Sequence, residues 1–287
     1  MEVYGKVLKV FPDERIIKIE YKNRLLCLYM TRKTFKDFGP YFYKEPYIFV
    51  EISNEAKMYG KYYGYEIISF VKIVETGLRE RIIYYDIETI RGGVKNLINK
   101  TKNKMFLDLE FTLPSFYQTI PHVAEIVQYG IVVEDENGNI VFKESNLVKP
   151  NRKFGINQRT LNFISRKREE FDDALTYQEF YEKINDCLSK YNAKIIAWGK
   201  SDILMLEQSF ALNKVKPLNV RKRYINLMQV IKNYYNIKED MGLFNTYQEY
   251  ASSDAENQIH DALEDAMVTR EIFRMFKERL NNKSEIL

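Results

Sequence analysis

Residues 105–111 read MFLDLEF, and residues 124–135 read AEIVQYGIVVED. Both are rich in apolar and β-branched residues and too short for a helix pattern, so both are expected as strands. In a strand, residues two apart share a face. Leu107, Leu109 and Phe111 therefore point one way, and Asp108 and Glu110 the other. Two carboxylates on one face of an otherwise apolar strand repel each other unless a cation lies between them. The plainer alternative is an edge strand whose acidic face is solvated.

Working outward, 139–148 (NIVFKESNLV) and 194–199 (KIIAWG) are further strands, and helices are expected at roughly 173–190, 202–212, 226–236 and 260–280. Alternating strands and helices imply an α/β or α+β layered domain. Asp202 follows the strand KIIAWG at the start of a helix. Its simplest role is a cap or a first-turn acid favoured by the helix dipole, but strand ends are also where α/β sheets place ligands. From 258–273 (QIHDALEDAMVTREIF) on to 280, Leu263, Ala266, Phe273, Phe276 and Leu280 mark an amphipathic helix. His260 and Asp265 lie about 140° apart on an ideal helix, so they can share a site only if His260 sits at or before the first turn.

An Asp-x-Glu strand, a distant Asp opening a helix, and His-x-x-x-x-Asp on a late helix together resemble the DEDDh exonuclease superfamily over about residues 105–280. The stretch from Pro121 to Pro150, ending in Val-Lys-Pro, is similar to that family's second and third strands. FLDLEFT and AWGKSD are similar to its RNA-trimming branch, which includes the Eri-type and sporulation-inhibitor-type exonucleases. The resemblance implies a ribonuclease H-like fold over 105–287. It also implies that Asp108, Glu110, Asp202 and Asp265 bind two Mg²⁺ or Mn²⁺ ions, with His260 as general base. The implied activity is 3′-to-5′ hydrolysis of single-stranded nucleic acid, RNA in preference to DNA, releasing nucleoside 5′-monophosphates. Phe111 and Leu113 are expected against the terminal base and sugar, and Trp198 in the core. The competing readings are a DNA exonuclease and an inactive nucleic-acid-binding relative.

Asp86 and Glu88 in YYDIETI also match Asp-x-Glu. The basic stretch that follows, IRGGVKNLINKTKNK, cannot be the next strand, whereas Asp108 is followed by AEIVQYGIVV. A short motif needs its structural context, and Asp86 is assigned to a connector.

Ahead of this domain, residues 3–10 alternate apolar and polar, and 15–21 and 24–30 flank Lys22-Asn23 as a hairpin. A short helical stretch follows Thr31 and is expected to stop at Gly39-Pro40. Strands follow at 47–52 and 65–74. Five strands and a helix within residues 1–75 fit a small all-β barrel, OB-like or SH3-like. Residues 76–104 read as a basic connector with one helix, holding seven Lys and Arg against three Asp and Glu. Ten of the 22 tyrosines fall in 1–75, beside 13 Lys and Arg. Aromatic faces and cations together suit single-stranded nucleic acid. Basic clusters at 149–153, 166–168 and 221–223 are further candidates for phosphate contact.

The net charge of +4 alone would not indicate nucleic acid. No apolar run approaches the ~18 residues of a membrane span, and the amino terminus carries charges where a signal peptide would be apolar; a cytoplasmic protein is expected. Cys27 and Cys187 make neither a disulfide framework nor a zinc set.

Overall fold

The computed structural model describes residues 1–76, 81–116, 121–152, 155–251 and 260–282. The chain divides into two compact units, Met1–Gly93 and Val94–Leu287.

In the first unit, strands β1 (Glu2–Phe11), β2 (Ile16–Tyr21) and β3 (Arg24–Tyr29) form an antiparallel meander. Lys22 and Asn23 both have positive φ, as a two-residue turn matching the strand twist requires. Helix α1 (Arg32–Phe42) is capped by the Thr31 hydroxyl, which accepts the Thr34 N–H at 3.2 Å. Expected to stop at Gly39-Pro40, it runs on through Pro40. Only one backbone bond is lost there, and Phe42, fully buried in the barrel core, holds the last turn in place.

Strands β4 (Tyr47–Ile52), β5 (Lys57–Tyr59) and β6 (Tyr62–Thr76) follow. Pairing of β1 with β4, β4 with β6, and β6 in parallel with β3 closes a five-stranded barrel in the order β1-β2-β3-β6-β4. The expected small all-β barrel is therefore present. Its core is the inward set Val3, Val7, Ile17, Ile19, Leu28, Ile48, Val50, Ile67 and Phe70. Within the stretch read as a connector, Arg81–Asp86 forms strand β7 on β6, and Ile87–Lys100 forms helix α2, which contains the boundary between the units.

The second unit is built on strands β8 (Lys104–Phe111), β9 (Ile126–Glu134) and β10 (Ile140–Leu147). Helices α3 (Gln158–Phe163) and α4 (Tyr177–Tyr191) lead to β11 (Lys194–Ala197). Helix α5 (Ser201–Leu212), the short β12 (Tyr224–Asn226) and helices α6 (Leu227–Tyr235), α7 (Leu243–Ala251) and α8 (Ala262–Asn281) complete it. The sheet order is β10-β9-β8-β11-β12, with β8, β11 and β12 parallel and β9 antiparallel to both its neighbours. This is the expected α/β layered domain. On one face, Leu107, Leu109, Tyr129 and Ile131 pack with Phe180, Ile184, Leu206 and Phe210 of α4 and α5. On the other lies α8, where Phe106 meets Phe273 edge-on at 5.7 Å. Among the described residues, no helix is long and apolar enough to cross a membrane.

Candidate active site

The alternation of β8 places Asp108 and Glu110 on the face that carries Phe106, opposite the apolar set Leu107 and Leu109. That face is covered by α8, which explains how Glu110 is buried. Glu134 of β9 lies 2.7 Å from the Arg270 guanidinium of α8 and 3.0 Å from the Lys104 ammonium of β8, all three buried. Breaking such a buried pair costs about 3–5 kcal/mol, so the cluster fixes α8 on the sheet. At its amino-terminal end the helix comes closer still. Gly130, directly opposite Asp108 in the β8–β9 register, faces the start of α8. A Cβ there would lie 2.1 Å from the Ala262 carbonyl oxygen.

Asp202 is in the first turn of α5 and buried; the N-cap itself is Lys200. Its Oδ1 accepts the backbone N–H of Leu109 at 3.1 Å. Pairing between β8 and β11 ends at Phe106 and Ile196. Beyond that point the β8 edge has no strand partner on that side, and the Asp202 carboxylate satisfies it. The same contact brings Asp202 to the level of Asp108 and Glu110.

His260 precedes α8, whose N-cap is Asp261. This is the placement that lets a histidine and Asp265 converge. Atoms of Glu110, His260 and Asp265 lie within 4.8 Å of one another. Burial pushes the Asp108 carboxyl well above the usual carboxylate range, and the charges of Asp202, Asp265 and Glu110 add to it. Burial also raises Glu110, to about 8, with Asp265 and Asp202 contributing. Asp202 is raised by burial to about 6, held back by N–H groups of its own backbone and of Leu109. Carboxylates in this arrangement cannot all ionise without a compensating positive charge. An all-oxygen donor set fits hard divalent cations, so these four carboxylates fit the expected Mg²⁺ or Mn²⁺ ions.

Three supporting residues, Asp261, Gln128 and Phe163, had not been singled out from sequence, and a fourth, Arg166, had been expected only as a phosphate contact. Asp261 Oδ1 accepts the N–H groups of Leu263 and Glu264, at 3.1 and 3.2 Å. Its Oδ2 accepts from Gln128 Nε2 at 2.9 Å and from the Arg166 guanidinium at 2.6 Å. Burial would raise the Asp261 carboxyl, but these donors outweigh it and the net shift is downward. The Phe163 ring stacks on the His260 imidazole, with centroids 4.1 Å apart. An Asp immediately before an amphipathic helix is a readable cap signal. An amide inside the apolar run IVQYGIVV is a readable oddity. Phe163 carries no comparable mark, and the basic cluster that holds Arg166 pointed to phosphate rather than to Asp261.

Phe111 is half-buried on the domain core. The segment after β8 is held by the Leu113 N–H, which donates to Thr160 Oγ1 at 2.9 Å, and by Asn157 Nδ2, which donates to the Leu113 carbonyl at 2.6 Å. Trp198 is half-buried, its indole N–H donating to the Met241 carbonyl at 2.9 Å. Of the basic clusters, Arg166 is committed to Asp261 and Arg221 to Glu207 at 2.7 Å. Lys153 of the first cluster lies outside the described residues. Asp86 ends β7 and pairs with Lys72 at 2.6 Å, whereas Glu88 lies in α2 and pairs with Arg91. They share no strand face, so this second Asp-x-Glu lacks the geometry of the first. His122 serves locally, its Nε2 donating to the Thr112 carbonyl at 2.7 Å.

Residues 105–273 match the Exonuclease family of RNase T type. A probable 3′-5′ exonuclease, KapD of Bacillus subtilis (strain 168), is 26% identical over 181 residues, covering 62% of this chain and 86% of that protein. Among solved structures, the nuclease domain of 3′hExo, a DEDDh family member bound to rAMP, is similar with a TM-score of 0.55 and 18% identity. The match covers 62% of this chain and 94% of that one. Cell-death related nuclease 4 (CRN-4) is similar with a TM-score of 0.52 and 21% identity, covering 64% and 65%. These structures share the fold of the second unit. The chain belongs to the RNase T-type exonuclease family, and is a 3′–5′ exonuclease.

Proposed function

We propose that the chain trims single-stranded nucleic acid, RNA in preference to DNA, releasing nucleoside 5′-monophosphates. The observation that carries this reading is the cluster of Glu110, His260 and Asp265, within 4.8 Å of one another, with Asp108 on the same strand face as Glu110 and Asp202 held on the Leu109 N–H between them. Asp108, Glu110, Asp202 and Asp265 would hold two Mg²⁺ or Mn²⁺ ions. When bound, such a pair supplies a readily deprotonated water and neutralises the leaving oxygen. His260 accepts the proton of the attacking water at a ring nitrogen, which suits an imidazole because its ordinary pKa of about 6.5 lies near working pH. Asp261, Gln128, Arg166 and Phe163 orient that imidazole. Leu113 binds the terminal base and sugar; Phe111, expected there too, packs on the domain core with Leu107 and Leu109.

Two observations support RNA. FLDLEFT and AWGKSD are similar to the RNA-trimming branch, and 3′hExo, which shares the fold, is bound to rAMP. The amino-terminal barrel, residues 1–75, is proposed to bind the single strand, while 105–287 carries the chemistry. Its strand order, with a helix between β3 and β4, supports an OB-fold.

The test is digestion of RNA and DNA strands of one sequence, each 5′-labelled, with Mg²⁺, with Mn²⁺ and with chelator. Stepwise shortening of RNA in metal, with mononucleotide 5′-phosphates in the products, is expected. Faster digestion of DNA would shift the substrate assignment, and no cleavage of either would leave a binding protein.

A further inference from the structure

The barrel has two aromatic outer faces, and their charge distinguishes them. On the first, Phe11 at the end of β1 contacts Tyr62 at 4.9 Å, and Tyr29 of β3 stacks on Tyr59 of the β5–β6 hairpin at 4.2 Å. Tyr59 and Tyr62 are cross-strand partners, and Phe11 and Tyr29 are both register partners of Ile16, so the four rings are contiguous. All four are half-buried and none belongs to the barrel core. Lys9 stands 5.2 Å from the Phe11 ring, and Lys18 stands 5.6 Å from Phe11 and 5.8 Å from Tyr62. Arg15 lies 5.6 Å over Tyr29.

Lys9 and Lys18 are direct cross-strand partners. Like charges so placed destabilise a sheet, and among the described residues neither lysine pairs with an acid. The acids near this face are Glu14, 3.9 Å from Lys61, Glu66 near Tyr59, and Glu20, which follows Lys18 on the outward side of β2 opposite Lys6.

The second face has Tyr4 stacked on Phe49 at 5.7 Å, with Tyr47 exposed beside them. Here the row is Glu2 opposite Glu51, and both cations are neutralised, Lys6 by Glu45 at 2.8 Å and Lys72 by Asp86 at 2.6 Å. A phosphate chain would meet uncompensated cations on the first face and carboxylates on the second. Packing of lysine stems on rings accounts for the ring contacts alone, but not for two lysines placed opposite each other.

We infer that single-stranded nucleic acid binds across the Phe11–Tyr62–Tyr59–Tyr29 face, with Lys9 and Lys18 on its phosphates and the rings stacking its bases. This rests on the reading that the barrel binds the strand. Bases stack on aromatic rings without regard to sequence, so the face is a non-selective holder.

The test uses the full chain, with chelator present to stop cleavage, and fluorescence anisotropy with labelled strands of 4 and 15 nucleotides as probes. Wild type is expected to bind the 15-mer more tightly than the 4-mer. Lys9→Glu/Lys18→Glu should weaken 15-mer binding about tenfold or more. It should also reduce the slope of log affinity against log salt by about 1.4, that is about 0.7 for each phosphate contact. Tyr62→Leu, which keeps the apolar bulk, should weaken binding with the slope unchanged. Tyr4→Ser/Phe49→Ser, on the second face, should bind within about twofold of wild type. If wild type favours the 15-mer but the Lys9/Lys18 variant matches it in affinity and slope, the face assignment is wrong while the reading of the barrel stands. Equal affinity of wild type for the two lengths would overturn both.

Discussion

Gly130 of β9 and Ala262 of α8 touch through their backbones, and no side chain fits between them. Gly130 is the register partner of Asp108. The contact therefore sets how far the helix bearing Asp265 stands from the strand bearing Asp108 and Glu110. Gly130→Ala would drive α8 outward at its site end. The expected outcome is a loss of at least about 10²-fold in kcat/KM, the scale of a 1 Å misplacement, with a lowered Tm. Gly93→Ala, where an added Cβ meets nothing within 4 Å, should raise stability by about 0.5–1 kcal/mol because a helix favours Ala over Gly. Kinetics and thermal melting of the two variants check this contrast.

Asp261 carries two loads, capping α8 and receiving Arg166 and Gln128. Arg166→Ala should leave the cap intact and free the carboxylate on one side. About tenfold loss in kcat with KM nearly unchanged is expected, since the imidazole next in the chain would be less well held. Arg166→Lys should restore part of it, because a single charge–charge contact survives without the fork geometry. An equal fall in kcat for the Lys and Ala variants would show that the pair has no positioning role.

His260 is within ligand reach of Glu110 and Asp265, so geometry alone permits it to be a base or a metal ligand. His260→Ala is expected to lower the rate by on the order of 10²–10⁴ while titration calorimetry with Mn²⁺ keeps its affinity. Loss of affinity in parallel with rate would assign His260 to the metal instead.

The raised carboxyl of Glu110, at about 8 in the fold against about 4.3 in an unfolded chain, gives a sign for pH dependence. Below the unfolded value both states are protonated and the group costs nothing. As pH rises toward 8 the unfolded chain ionises first, so the metal-free fold loses stability over this window. Divalent cations relieve the same repulsion. Mn²⁺ at a hundred times its Kd should add about 2.7 kcal/mol, or roughly 5–10 °C in Tm for a domain of this size. At one fixed Mn²⁺ concentration the increment should grow from pH 5 to pH 8, because the ion binds more tightly as the carboxyls ionise. A metal-induced shift independent of pH would contradict the clustering of ionisable carboxylates.

Much of this geometry was readable because long elements carry long patterns. The alternation in MFLDLEF separated Asp108 and Glu110 from Leu107 and Leu109, and the spacing of Leu263, Ala266 and Phe273 placed Asp265 on α8 with His260 ahead of it. Short elements were lost. Strand β12 has three residues and α3 six, too few to show a period. Strand β7 exposes both Ile82 and Ile83, which erases alternation. The support of His260 was hidden for another reason: Arg166 and Phe163 are distant in sequence from the residues they hold, and contacts of that kind leave no local pattern.

The central claim is that cleavage runs through the carboxylates on β8. The most direct measurement is Mg²⁺- or Mn²⁺-dependent shortening of a 5′-labelled single strand by wild type, Asp108→Asn and Asp86→Asn. Asp108→Asn removes a charge from the buried cluster, whereas Asp86→Asn removes one from a contact with Lys72 in the barrel unit. Stepwise 3′-end loss by wild type and Asp86→Asn, with almost none by a folded Asp108→Asn, is the predicted result; full activity in Asp108→Asn, or its loss in Asp86→Asn alone, would contradict it.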